Sequence, residues 1–517
     1  MSFRLPTLLL WVTCLVQCVY SYDILVVFPY PGKSHVMVYE PLVQELGNRG
    51  HNVTVITHVP VTNNTTKNVR EILIGQPMQE AIALDELSSS PTISALISVF
   101  MISYFGKITC QEGLSNPLFQ SFLKENNNFD VILVEFFNNN CYLGLPNKYK
   151  APFIGFSTCG MMPWHPGWLG SSQNPSTDQV LLNGFKHPMT FWNRVENTLE
   201  HIFSVLWYKY NIEPAGRRYS QQFIGEDAAD PHQASLLLVN SHHTLHGARP
   251  LTPSIIEVGG IHITNKKVKP LPKLLENWIN NSDAGVIYFS LGSMIKGDTF
   301  PPEKRRAFIG AFARLRQRVL WKWENDTMPD KPDNVMIYKW MPQFDILCNP
   351  KAKLFISHGG LLGITEAIHC GIPTIVMPQF GDQRHNAHYL ERSGGGLMLI
   401  LAEATEEKLF NAIQTLLKPE NQEKAKELSR RFKDRPLSPM DTAIYWIEHV
   451  ARNKGGNHMR STAIDLPFYQ YFLLDVIAFL FIGALIYVYI SFKVTKATLE
   501  LINRKSVNKE NIRKKTL

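Results

Sequence analysis

Cysteine is scarce in this chain, and none of it has metal-binding spacing. Seven cysteines are spread over 517 residues with no Cys-x-x-Cys pair, which excludes an obvious zinc site. Cys14 and Cys18 lie in an apolar leader. The other five, Cys110, Cys141, Cys159, Cys348 and Cys370, are odd in number, so one disulfide can form but spacing does not assign it. No cluster of His, Asp and Glu suggests a metal, and no internal repeat or low-complexity segment stands out. The turn after the first apolar run lacks Gly-x-Gly-x-x-Gly, which argues against a dinucleotide site. Basic charge is in excess at +8, but the stretch Lys493–Leu517 holds eight Lys/Arg against Glu500 and Glu510, a net of +6. The surplus thus sits mostly in a tail, and no nucleic-acid groove is implied.

What is present is a large apolar fraction, 45% against 19% charged, enough to bury the cores of two or three domains. Both ends read as targeting segments. Arg4 precedes the apolar run Leu8–Val19, and Val19 and Ser21 suit cleavage of a signal peptide over residues 1–21. Tyr471–Phe492 supplies 22 mostly apolar residues, enough to cross a hydrocarbon core of about 30 Å. The basic tail 493–517 follows at once, so the positive-inside rule puts the tail in the cytosol and the body in the lumen. Lys514 and Lys515 stand where a di-lysine retrieval signal would, which predicts retention in the endoplasmic reticulum membrane through the retrieval machinery. Luminal Asn-x-Ser/Thr sites occur at Asn52, Asn63, Asn64, Asn280 and Asn325, with Asn52 least suited because it opens a strand.

Asp23–Phe28 is an apolar run of strand length, broken by Pro29, Pro31 and Gly32. Helical spacing follows over Val36–Arg49, then a second strand over Val53–Thr57, a βαβ unit that opens a parallel sheet. Runs at Phe129–Val134, Phe153–Phe156 and Leu236–Val239 extend it, and the aromatic-rich stretch from Trp164 to Trp207 reads as helices and loops lining a pocket. After the Lys/Pro-rich stretch Lys266–Lys273 the alternation resumes at Gly285–Phe289, Val319–Trp323, Val335–Tyr338, Leu354–Ser357 and Thr374–Met377. The fold class is α/β with two doubly wound domains, 22–257 and 258–452, followed by a membrane helix at 471–492.

The sharpest motif is Leu354-Phe-Ile-Ser-His-Gly-Gly360 leading into Leu361–Ile368. A strand running into a glycine turn that opens a helix offers unpaired N–H groups and positive dipole charge to a phosphate. His358 can donate to a phosphate oxygen, Gly359 and Gly360 admit the ligand to the backbone, and Glu366 can accept from ribose hydroxyls. Alone, the segment reads equally as an ordinary strand–helix turn with a structural histidine. Its surroundings add chemistry: Trp340 offers a flat surface to a base and Gln343 an amide to its edge. Ser290 and Ser293 can donate to a diphosphate, and Asp382 beside Gln383 suits sugar hydroxyls.

The run from Trp340 to Gln383, with Asp283–Ser293 and Ser438–Trp446, resembles the UDP-glycosyltransferase family, in its membrane-bound animal branch. The resemblance implies the GT-B architecture: two facing Rossmann-like domains, acceptor in the first, UDP-sugar in the second, with inversion at the anomeric carbon. It implies Trp340 and Gln343 at uracil, and Glu366 at ribose. Ser293, His358 and Gly359 would hold the phosphates, and Asp382 and Gln383 the donor sugar. Leu362 and Lys322 depart from the vertebrate pattern, which commonly has Asn and Arg there, and look insect-like, favouring UDP-glucose. No cofactor is implied, and the chain has no Asp-x-Asp of the kind that holds manganese on a nucleotide-sugar diphosphate.

His35 follows the first strand, where ligands bind in open α/β sheets. On its own it reads first as a helix-end or surface histidine; with the resemblance it becomes the general base that takes the acceptor proton. The family usually places Asp after the strand ending at Val134, and this chain has Glu135, the expected orienting carboxylate. Asp130 competes but lies at the other end of that strand. The expected activity is transfer of a hexose to a small lipophilic acceptor. Two alternatives remain: a sphingolipid or sterol glycosyltransferase, and a catalytically silent UDP-sugar- or hydrophobe-binding protein. Oligomerisation is left open.

Overall fold

The computed structural model describes residues 21–62, 66–77 and 91–515. The expected signal peptide up to Tyr20, with Cys14 and Cys18, and Asn63 and Asn64 therefore lie outside the described residues.

The body holds two parallel sheets. The first comprises β1 (Asp23–Phe28), β2 (Asn52–Thr57), β3 (Val69–Leu73), β4 (Val131–Glu135), β5 (Phe153–Ser157), β6 (Leu237–Val239) and β7 (Ile255–Glu257), in the order β3-β2-β1-β4-β5-β6-β7. The second comprises β8 (Val286–Ser290), β9 (Arg318–Lys322), β10 (Val335–Tyr338), β11 (Ala352–Ser357), β12 (Thr374–Val376) and β13 (Gly396–Met398), in the order β10-β9-β8-β11-β12-β13. Each order reverses once, between β1 and β4 and between β8 and β11, and these switch points open the crevices where such sheets bind ligands.

Burial on both faces explains why the strands read as unbroken apolar runs rather than alternating ones. Along β1, Leu25 and Val27 enter one core while Ile24, Val26 and Phe28 enter the other. The second sheet repeats this: Ile287 and Phe289 face one side, Val286 and Tyr288 the other. Phe289 packs on Trp321 at 4.7 Å between ring centroids, and truncating such a buried ring costs about 3–5 kcal/mol.

Helix α1 (Lys33–Asn48) follows β1 and buries Val36, Tyr39, Leu42, Val43 and Leu46. Helix α2 (Pro91–Ser115) was not foreseen from the sequence; a disulfide from its Cys110 to Cys141 fastens it beyond β4. A second disulfide joins Cys348 to Cys370, and Cys159 is free. Two bridges thus form where one was expected, because the folded chain brings together cysteines that spacing could not pair. Helix α3 (Phe191–Trp207) corrects the picture of a pocket-lining aromatic region: Trp164 and Trp168 are buried beside Tyr208, but Phe191 and Trp192 face outward. Helix α4 (Leu361–Cys370) follows β11, and helix α5 (Gln383–Arg392) follows β12. Helix α6 (Pro439–Arg452) returns to the first sheet, where Met440, Ala443, Ile444 and Ile447 join the core of Ile24 and Val26.

From Ser461 onward the chain forms a separate unit, dominated by helix α7 (Leu474–Lys515). Its Leu474–Lys509 stretch has a mean hydropathy of 2.2 in its most apolar window, none of it buried against protein, and fits a membrane anchor. The expected span began at Tyr471; a turn at Leu473, in the left-handed region with φ 54°, delays the helix to Leu474. The basic tail continues the same helix through Lys515.

Candidate active site

At the first switch point, parallel register pairs Val27 of β1 with Val134 of β4. The residues just beyond them, His35 in the first turn of α1 and Glu135 at the end of β4, meet there. His35 Nδ1 lies 2.6 Å from Glu135 Oε1. A carboxylate at that distance makes Nδ1 the donor, so the neutral ring carries its lone pair on Nε2. Thr158, just past β5, donates from Oγ1 to Glu135 Oε1 at 2.9 Å and lies 2.7 Å from His35 Nδ1. Asn139 Nδ2 donates to Glu135 Oε2 at 2.9 Å, so both oxygens of this buried carboxylate are engaged. Tyr30 and Phe137 pack on the imidazole at 4.3 and 4.8 Å. Burial, then the Glu135 charge, pushes the Tyr30 hydroxyl up to about 12, so it stays protonated beside His35. Asp130 is at the opposite end of β4, accepting from the Asp23 N–H at 2.9 Å, and plays no part here.

The second switch point aligns Ser290 of β8 with Ser357 of β11. His358 follows, between two glycines: a Cβ on Gly292 or on Gly360 would come within 2.6 Å of its ring, so neither position accepts a side chain. Gly359 has φ 94°, a left-handed conformation that glycine adopts without strain. Burial, with the charge of Lys322, pushes the His358 imidazole down to about 4, so it is neutral at pH 7. Its Nδ1 is buried with no hydrogen-bond partner among the described residues. Gly360 caps α4 with no side-chain hydrogen bond, leaving the first N–H groups of a ten-residue helix to an outside acceptor. An orphan imidazole nitrogen beside an uncapped helix start suits an anionic oxygen. Ser293 is exposed at this turn, whereas Ser290 is buried and its Oγ accepts from the Gly292 N–H at 3.2 Å, shaping the turn.

Beyond this turn, Trp340 is 60% exposed, an unusual amount for an indole held on a loop, and Lys322 Nζ stands 5.9 Å from its ring. Glu366 is buried on α4. It accepts from Gln343 Nε2 at 2.7 Å and pairs with Lys266 at 3.3 Å. Burial nevertheless holds its carboxyl above the usual range, Lys266 and Gln343 opposing. Gln343 was expected at a base edge; its NH2 donates to Glu366. Asp382 sits at the start of α5, where Asn386 Nδ2 donates to it at 3.0 Å and to the Gly359 carbonyl at 3.0 Å. Burial raises the Asp382 carboxyl, with the Asn386 hydrogen bond opposing. Gln383 is buried, its Oε1 accepting from the Gln379 and Phe380 N–H groups at 2.8 and 3.2 Å, so among the described bonds only its NH2 is uncommitted.

Sequence reasoning missed four contributors: Thr158, Asn139, Lys266 and Asn386. It also treated Lys322 only as a departure, although the ammonium pairs with Glu324, whose Oε2 accepts from the Gly297 N–H at 2.6 Å and thereby braces the loop after Ser293. Thr158 and Lys266 act through partners 23 and 100 residues away, which no local signal marks, whereas Asn139, Asn386 and Lys322 bond carboxylates two to four residues away and carry no motif that says so. Among the described residues no group of three His, Cys, Asp or Glu side chains could hold a metal ion.

This geometry has relatives. Residues 23–510 match the family model described as UDP-glucoronosyl and UDP-glucosyl transferase. The chain is 39% identical over 488 residues to UDP-glycosyltransferase UGT5 of Dactylopius coccus, covering 91% of each. It is 36% identical to UDP-glucosyltransferase 2 of the same insect, over 93% of this chain and 94% of that one. It is 32% identical to UDP-glucuronosyltransferase 2B13 of Oryctolagus cuniculus, over 86% and 88%. Among solved structures, the glycotransferase of kitacinnamycin superposes with a TM-score of 0.54 at 17% identity, over 83% of this chain and 99% of that one. CalG4, the calicheamicin glycosyltransferase, gives 0.51 at 18%, over 84% and 99%. These two show the GT-B fold. The chain belongs to the UDP-glycosyltransferase family, enzymes that transfer a glycosyl group from a UDP-sugar.

Proposed function

We propose that the chain transfers glucose from UDP-glucose to a hydroxyl of a small lipophilic acceptor, with inversion and with His35 as general base. The observation that carries this reading is the His35–Glu135 pair at 2.6 Å, lying at the switch point of the first sheet. In this mechanism His35 Nε2 takes the acceptor proton as the oxygen attacks C1 and the bond from C1 to the UDP oxygen breaks. Glu135 stabilises the imidazolium that forms. Charge growing on the UDP diphosphate is met by the start of α4, His358 and Ser293, aided by Lys322, so no metal is needed for it. Trp340 stacks on uracil, with Gln343 at its edge; Glu366 exchanges Lys266 or Gln343 for ribose hydroxyls; Asp382 and Gln383 hold the sugar.

Glucose as the donor is supported by Leu362 and Lys322 and by the insect relative named as a UDP-glucosyltransferase. The proposed location is the endoplasmic reticulum membrane with the body luminal. Two disulfides suit an oxidising compartment, and Asn280 and Asn325 are exposed as glycan acceptors must be. Lys514 and Lys515 would serve as the retrieval signal. One screen tests the donor and the reaction together: UDP-glucose and UDP-glucuronic acid, each with a panel of phenols and sterols, on microsomes containing the full chain. Glucosides with inverted anomeric configuration are expected. Glucuronides alone, or no product with any donor, would overturn the proposal.

A further inference from the structure

The long segment between β5 and β6 of the first sheet touches the second half of the body at one bare point. At Gly184 it meets helix α5 backbone to backbone. A Cβ on Gly184 would lie 2.7 Å from the Arg384 carbonyl carbon and from the His385 nitrogen, and 2.9 Å from the Arg384 oxygen. Carbon atoms in ordinary contact keep about 3.5–4.0 Å apart, and a helix backbone has no rotamer with which to make room. Position 184 therefore admits glycine alone. Arg384 and His385 directly follow Asp382 and Gln383, so the contact bears on the helix start that presents those two side chains.

Both sides of this contact are braced. Gln179 holds both backbone groups of Phe185: its Nε2 donates to the carbonyl at 2.7 Å and its Oε1 accepts from the N–H at 3.0 Å. Asn183 donates to Glu200 of α3 at 2.8 and 3.0 Å, and Leu181, Leu182 and Phe185 are buried. On the other side Asn386 ties α5 to the Asp382 carboxylate and to the Gly359 carbonyl, so a shift of the helix pulls on the Ser357–Gly360 turn as well. The contact continues along α5. A Cβ on Gly247 would come 2.9 Å from the Tyr389 ring, the His187 ring lies 5.7 Å from that ring, and His246 stacks on His385 at 6.1 Å. Gly184, His187, His246 and Gly247 hang from the first sheet, as His35 does, whereas α5 hangs from the second.

We propose that Gly184 is a positioning residue for the transfer reaction, its bare backbone seating α5 against the half of the body that carries His35. The proposal rests on the reading of His35 as the base and of Asp382 and Gln383 as the residues that hold the sugar. Transfer requires the acceptor oxygen beside His35 and C1 of the sugar at α5 to come within about 3–3.5 Å of each other. A methyl group at position 184 lengthens a 2.7 Å approach to an ordinary contact, which separates the two halves here by about 1 Å. A misplacement of about 1 Å costs about 10²-fold in rate. The residues proposed to hold UDP all hang from the second sheet, so nucleotide affinity does not feel the change.

The test compares Gly184→Ala and Gly184→Val with wild type in the full chain, by turnover of UDP-glucose with a phenolic acceptor, titration of UDP and melting temperature. The Ala variant should lose about 10²-fold in kcat and the Val variant more, with UDP affinity and melting temperature unchanged. A glycine needed only for folding would lower all three together. If both variants lose UDP binding, Tyr389→Leu repeats the measurement, since it takes a ring out of the same contact and adds no bulk; kcat should fall about tenfold at unchanged UDP affinity. Wild-type kcat in Gly184→Ala overturns the proposal, as does a Tyr389→Leu enzyme whose kcat is unchanged or falls only in step with UDP affinity. His35→Ala in parallel separates the two ideas. An active His35→Ala enzyme fails the base reading, whereas an inactive one beside a fully active Gly184→Ala enzyme fails the positioning role alone.

Discussion

Replacing Glu135 with Gln keeps the length and shape of the side chain and removes its charge. In the structure Oε1 faces His35 Nδ1 at 2.6 Å and the Thr158 hydroxyl at 2.9 Å, while Oε2 accepts from Asn139 at 2.9 Å. A carboxamide has one oxygen and one NH2. If the oxygen keeps His35, its NH2 confronts the NH2 of Asn139. If the NH2 turns to His35, Nδ1 must become the acceptor, and the ring proton moves to Nε2, where it blocks the base. A hydrogen bond to a charged group is worth about 1.5–3 kcal/mol, or roughly 10- to 150-fold at about 1.36 kcal/mol per decade. The wrong tautomer adds part of the roughly 10²–10⁴-fold that general-base catalysis supplies. Glu135→Gln should therefore lower kcat by about 10²-fold or more, with UDP affinity unchanged. Glu135→Asp, one methylene short of a 2.6 Å contact, should lose about tenfold. Steady-state kinetics with saturating UDP-sugar, together with calorimetric titration of UDP, measures both. A Gln variant within threefold of wild type would refute the orienting role.

Two further perturbations probe other parts of the molecule. Trp340→Ala removes the exposed platform, and since base–aromatic stacking is worth about 1–3 kcal/mol, the UDP-sugar KM should rise with little change in acceptor KM; an acceptor-specific defect would place Trp340 outside the nucleotide site. Burial pushes the Glu200 carboxyl up to about 7 from 4.5, so between those values the folded chain holds a proton the unfolded chain has lost, and stability falls as pH rises through the window. Glu200→Gln should raise the melting temperature above pH 7, by up to about 3 kcal/mol of stability, and leave it unchanged below pH 4.5; a variant less stable than wild type at pH 8 contradicts this.

How much of this was legible depended on how local each signal is. The strand Asp23–Phe28 and the turn Ser357–Gly360 announce themselves because a parallel strand buried on both faces must be apolar throughout and a phosphate turn must be small. β3, with its sequence Val69-Arg-Glu-Ile-Leu73, was invisible because an edge strand carries charge on an exposed side. Thr158 was invisible because it lies 23 residues from Glu135, and Asn139, four residues on, because the turn after β4 that points its amide back at the carboxylate has no sequence signature. The aromatic stretch around Trp192 was read as a pocket lining because large apolar residues suggest an interior. The structure turns Trp192 outward because Asn197 and Glu200 take the inside of the same helix. Gln343 was assigned from its amide and from the family resemblance, neither of which marks its bond to Glu366.

The most direct test of the division of labour between the two domains is His35→Ala. His35 hangs from the first sheet, and the residues proposed to hold uracil, ribose and phosphate hang from the second. Turnover of UDP-glucose with a phenolic acceptor, measured beside UDP titration on the same preparation, should show a loss of roughly 10²–10⁴ in kcat and a UDP dissociation constant within twofold of wild type. Near-wild-type turnover, or loss of UDP binding in step with activity, would contradict the assignment of His35 as the base.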